Sequence, residues 1–126
     1  MGEYKKSVAV DLDGVLAKYT GWKGERIIEE PMPGAREFLE NVSKKYHVII
    51  HTTRKREIVW EWLKHYGLDS SVTDVNYCLV NQREGKPVAV AYVDDRAVRF
   101  TGDFEETLRQ VEELAGPAYK KDNNTK

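Results

Sequence analysis

The sequence predicts an α/β domain built on a parallel sheet, and three observations carry that prediction. Short apolar runs, Val8 to Leu12, Tyr46 to Ile50, Val75 to Val80 and Val88 to Val93, read as buried strands. Segments with apolar residues at helical spacing alternate with them, the pattern of parallel strands whose crossover helices cover both faces. The chain has 126 residues, 40% hydrophobic and 33% charged, which suits one soluble domain with a self-sufficient core.

The elements follow in order. Val8 to Leu12 forms the first strand, and residues 14–33 are an irregular, glycine- and charge-rich loop ending in "EEPMPG". Pro33-Gly34 punctuates a helix over about residues 34–45, with Ala35, Phe38, Leu39 and Val42 at helical spacing. "YHVII" is the second strand. A second helix, about 55–66, places Val59, Trp62, Leu63 and Tyr66 on one face and stops at Gly67, with Trp60 on the opposite side. "VNYCLV" is the third strand, and the turn-like "NQREGKP" leads to the fourth, "VAVAYV". Val98 to Thr101 reads as a short fifth. A last helix, about 103–114, carries Phe104, Leu108, Val111 and Leu114; Pro117 breaks it, so 1–116 is the domain and 117–126 a flexible tail.

Composition narrows the partners. A net charge of −1 provides no bulk attraction to nucleic acid or to membranes, so general nucleic-acid binding is not expected. Cys78 is the sole cysteine, which excludes an internal disulfide and reads as a small buried hydrophobe. "MGEYKKSVAV" lacks a signal-peptide core, and Lys6 stands where a myristoylation motif at Gly2 wants Ser or Thr. No run approaches the ~18 apolar residues of a membrane span. A cytoplasmic protein is expected.

Polar residues collect where the strands stop. Ligands of such sheets bind beyond the carboxyl ends of the strands. There the sequence places Asp11 and Asp13, then Thr52, then Asp94 and Asp95. Acids crowded at one sheet edge repel and need compensation, and hard oxygen ligands without His or Cys suit Mg²⁺. The plain alternative is a set of solvated strand-end acids. Thr52 offers a hydroxyl and a backbone N–H to a phosphate, or else caps the helix beginning near Lys55. Lys86, before Pro87, is either an exposed turn lysine or the cation that neutralises a nucleophile and phosphate oxygens.

Four motifs in order, "DLDGV", "IIHT", the Lys86-Pro87 turn and "YVDD", resemble those of the haloacid dehalogenase superfamily of phosphohydrolases, over about Val8 to Phe104. Val15 stands where the family usually has threonine, at a position that is not catalytic. The resemblance implies a three-layer Rossmann-like domain with strand order 3-2-1-4-5. It implies Asp11 as the nucleophile that forms an aspartyl-phosphate and Asp13 as general acid–base. Mg²⁺ would be held by Asp11, the backbone carbonyl of Asp13, and Asp94 or Asp95. Thr52, Thr53 and Lys86 would bind the phosphoryl group. Asp13 also favours hydrolysis, since the pump-ATPase members have threonine there.

The intervals from Asp11 to Thr52 and from Thr52 to Lys86 leave no room for a folded cap once helix and strand are placed. An open site is therefore expected, with the 14–33 loop, bearing Tyr19 and Trp22, as a small flap. Such a site suits a phosphorylated substrate, small or macromolecular. Arg54 and Arg96, just past two motifs, are candidate substrate contacts or solvated loop arginines. His51 reads as a satisfied structural histidine, and Trp60 as a candidate contact in a homo-oligomer. The competing readings are a receiver-like signalling module, whose phosphoacceptor would follow strand three, and a non-catalytic phosphate-binding module.

Overall fold

The computed structural model describes residues 5–124, with side chains through residue 116. Gly2 and the last two residues of the tail lie outside it. In chain order the elements are β1 (Ser7–Val10), α1 (Ala35–Ser43), β2 (His47–Ile50), α2 (Arg56–His65), a 3₁₀ turn (Asp69–Ser71), β3 (Asp74–Val75), β4 (Tyr77–Cys78), β5 (Arg83–Glu84), β6 (Ala91–Val93) and α3 (Phe104–Asn124). Two compact units result, one ending at Asp95 and the other starting at Arg96.

The first unit is an α/β fold around a four-stranded parallel sheet of order β3-β2-β1-β6. Its centre is apolar for a simple reason: β1 and β2 have sheet neighbours on both sides, and Val10, Val48 and Ile50 are fully buried. The side chains of Val8, Val10, Val48 and Ile50 join Ala35 and Leu39 of α1 and Val59, Trp62 and Leu63 of α2 in one core. Trp60, opposite that face, is partly buried and packs one side against the core. Between β1 and α1 lies only the 14–33 loop, and between β3 and β6 a small hairpin. No cap is folded into the described residues of this unit.

Two strands depart from expectation. The run Val75–Val80 is not one strand. Asn76 adopts a left-handed backbone (φ 51°), which asparagine tolerates better than most residues, and turns the chain out of the sheet. Tyr77–Cys78 then pair antiparallel with Arg83–Glu84. The fourth strand is cut to Ala91–Val93 and sits at the sheet edge, with Val88, Val90 and Tyr92 exposed rather than buried. Cys78 is buried, as its lone occurrence suggested.

In the second unit the expected fifth strand is missing: residues 97–101 have no regular structure. Arg96 and Arg99 interrupt the apolar run, and Gly102-Asp103 begins a helix directly after it. Asp103 caps that helix, its Oδ1 accepting from the N–H groups of Glu105 (3.0 Å) and Glu106 (3.1 Å). The backbone of α3 breaks at Gly116 (φ 63°) and is helical again to Asn124, beyond the expected stop at Pro117. No helix among the described residues is long and apolar enough to cross a membrane.

Leu63, fully buried between α2 and the sheet, tests this core. Leu63→Ala is expected to lower unfolding free energy by about 3 kcal/mol in a urea titration with unchanged slope.

Candidate functional site

Sheet register brings the acids together. Val10 is paired with Ile50 on one side and Val93 on the other, so Asp11, His51 and Asp94 are the first residues past one row. The Asp11 N–H donates to Val93 O and the His51 N–H to Val10 O, both at 2.9 Å, which carries the ladder one step further. One carboxylate oxygen from each of Asp11, Asp94 and Asp95 lies within 4.8 Å of the others. Burial, opposed by one hydrogen bond from Leu12 N–H (2.8 Å) and reinforced by the charges of Asp94 and Asp95, pushes the Asp11 carboxyl up to about 6. Gly14 belongs to the same cluster. It has φ 87°, and a Cβ there would collide with Asp95 Oδ2. Only glycine fits that backbone and that approach.

The second acid of "DLD" has a different environment. Asp13 accepts a two-pronged ion pair from Arg54, Nε to Oδ2 at 2.8 Å and Nη2 to Oδ1 at 3.1 Å. Arg54 is only 2% exposed, so it is no solvated loop arginine. Its Nη1 donates to the carbonyls of Gly24 (3.0 Å) and Glu25 (2.6 Å), and the Trp22 ring covers its guanidinium at 4.7 Å. The 14–33 loop is therefore tethered at its tip by Arg54. At its base Lys18 N–H donates to Glu30 O and Met32 N–H to Leu16 O. Trp62 Nε1–H holds the carbonyl of Glu29 at 2.9 Å.

A cleft of about 660 Å³ opens past β2, lined among others by His51, Thr52, Lys55, Arg56, Asn76 and Lys86. Thr52 and Lys86 thus share a cleft although they stand 34 positions apart, with α2 and both hairpin strands between them. The Thr52 hydroxyl accepts from Arg54 N–H (3.3 Å), while Lys55 caps α2 without a side-chain bond, so Thr52 is not the helix cap. Its backbone N–H is already taken by Asn76 Oδ1 at 2.8 Å. Asn76 also donates from Nδ2 to Arg54 O (3.2 Å), tying the ends of β2 and β3 together. Lys86 is exposed, its ammonium 5.1 Å from the Tyr92 ring centre. The His51 ring is not satisfied: Nδ1 is buried and finds no hydrogen-bond partner among the described residues. Thr53 lies exposed in the bend after β2, and Arg96 is the first residue of the second unit.

A solved structure from Bacteroides thetaiotaomicron, of a conserved protein coded by a locus of that organism, has the same fold. The two align with a TM-score of 0.56 at 22% identity, over 87% of this chain and 92% of the other. No protein-family model and no curated protein matches this chain.

Three carboxylates with oxygens this close are a donor set that suits a hard divalent ion such as Mg²⁺. Gly14 keeps the space beside Asp95 free of a side chain. Asn76 and the pairing of Arg54 with Asp13 escape a reading of sequence, because each depends on loops meeting across the sheet edge. The left-handed turn at "VNY" had one local signal, an asparagine inside an apolar run.

Two expectations follow. Because the native Asp11 carboxyl binds its proton more tightly than the unfolded one, metal-free stability falls as pH rises from about 4 to about 6, and the loss is complete above that. Asp11→Asn should then raise metal-free stability at pH 7 by about 1 kcal/mol, after allowance for solvent screening, and by less at pH 4. Arg54→Met leaves the Asp13 carboxylate without its partner and should cost about 3 kcal/mol in denaturant unfolding. It should also speed tryptic cleavage at Lys23 and Arg26.

Proposed function

We propose that the protein is a Mg²⁺-dependent phosphomonoester hydrolase working through an aspartyl-phosphate at an open, capless site. The observation that carries this reading is the meeting of Asp11 with Asp94 and Asp95 at the strand ends, with oxygens within 4.8 Å. The ordered motifs resembling the haloacid dehalogenase superfamily support it, as does the cleft shared by Thr52 and Lys86. The receiver-like alternative needs a phosphoacceptor after the third strand, where Asn76 stands.

Asp11, Asp94, Asp95 and the Asp13 carbonyl would hold Mg²⁺, which when bound screens the carboxylates from the phosphate dianion. The Asp11 carboxylate attacks phosphorus, forming the Oδ–P bond as the ester P–O bond breaks. Asp13, once protonated from solvent on the oxygen that Arg54 Nη2 releases, acts as the acid and gives that proton to the departing oxygen. In the second half Asp13 takes a proton from water, the hydroxide attacks phosphorus, and Asp11 leaves as carboxylate with inorganic phosphate. Thr52 and Lys86 hold the transferring phosphoryl oxygens. Arg54 Nε keeps its hold on the other Asp13 oxygen, so the carboxyl stays in place while it handles the proton. The setting is the cytoplasm, and the phosphorylated substrate enters past the 14–33 loop.

Turnover of p-nitrophenyl phosphate with Mg²⁺ tests the reading. Activity should vanish with EDTA and return with added Mg²⁺, and Asp11→Asn should fall to background. Asp13→Asn should lose about 10²-fold or more on alkyl phosphates and less on the aryl ester, whose leaving group needs little protonation. Activity retained by Asp11→Asn would sink the mechanism.

A further inference from the structure

Trp22 is the exposed tryptophan of this chain. Trp62 is buried and Trp60 packs on the core, whereas Trp22 keeps 57% of its surface in solvent on a loop tied down on either side of it. Its position is set by Arg54. That planar guanidinium meets the Asp13 carboxylate along one edge, the Gly24 and Glu25 carbonyls along another, and the indole over its face. The indole is thus held one guanidinium away from the group proposed to protonate the leaving oxygen. Shielding an ion pair would require only a small apolar side chain. A large ring that is rigidly backed on one side and open to solvent is built to receive another flat ring.

The order of groups says which ring. A leaving oxygen near Asp13 is attached to the first carbon skeleton of the substrate, which lies beside the Asp13–Arg54 pair. Trp22 is reached only by a second group beyond that skeleton. A sugar phosphate ends too early. A nucleoside phosphate has the right order, with ribose beside the ion pair and a flat base beyond it. Base–aromatic stacking is tolerant of base identity and needs no buried polar contacts. We propose that Trp22 is the stacking platform for the base of a nucleoside phosphate, either free or at the end of a strand. The proposal rests on the hydrolase reading for the placement of phosphate at Asp11.

The test compares adenosine 5′-monophosphate, glucose 6-phosphate and a short single-stranded oligonucleotide with a terminal phosphate. In Trp22→Ala the ratio of kcat/KM for the nucleotide over that for glucose 6-phosphate should fall about tenfold, through KM, with Trp22→Phe restoring most of it. In the Asp11→Asn protein, which binds without turnover, adenosine 5′-monophosphate should quench tryptophan fluorescence, and Trp22→Ala in that background should abolish the quench. An equal loss on both small substrates, or no quench, overturns the platform even if phosphatase activity is present. A quench lost with Trp22, in a wild-type protein that hydrolyses nothing, supports the platform and overturns the hydrolase reading instead. Saturation by the oligonucleotide at lower concentration than by the mononucleotide assigns the platform to strand ends, and the reverse to free nucleotides.

Discussion

Like charges forced together at one sheet edge are the constraint on which the rest of this structure depends. Parallel register leaves Asp11 and Asp94 no choice of position, since Val10 is locked between Ile50 and Val93. Burial of Asp11 then makes its charge costly, and two more carboxylates within 4.8 Å add to the cost. In the proposed reaction that repulsion is relieved by the divalent cation that hard oxygens in this number suit. Gly14 fits the same constraint: a side chain there would occupy the space into which Asp95 reaches.

Arg54 resolves the problem of the remaining acid in a different way. Asp13 is two residues from Asp11 yet stands apart from the acidic triad, because the loop after β2 returns a guanidinium to it. The same guanidinium closes the 14–33 loop by its carbonyls. One side chain therefore couples the second acid, the flap and the exposed indole. In the proposed reaction this division has a use: one acid sits with the metal, and the other is held to handle protons on the leaving-group side.

The cleft past β2 shows how much such a site owes to residues with no chemistry of their own. Asn76 takes the Thr52 N–H and the Arg54 carbonyl, so the loop bearing both is braced from β3. Its left-handed backbone also ends the sheet strand and starts the hairpin that delivers Lys86. That single residue accounts for the division of the run from Val75 to Val80 into two elements. The shortened edge strand has an equally plain cause, since β6 has a partner on one side only.

Strand and helix alternation, the apolar centre around Val10, Val48 and Ile50, and the placing of Asp11, Asp13, Asp94 and Asp95 at strand ends were all determined by the sequence alone. These features are local or periodic: a buried parallel strand must be continuously apolar, and its first polar residue marks its end. Only the tertiary structure decided that Asp13 would be held by Arg54, that Trp22 would lie over that guanidinium, and that Asn76 would brace Thr52. Each joins loops separated by a helix or more of chain, and their meeting is set by sheet register and core packing, which no local pattern of residues records.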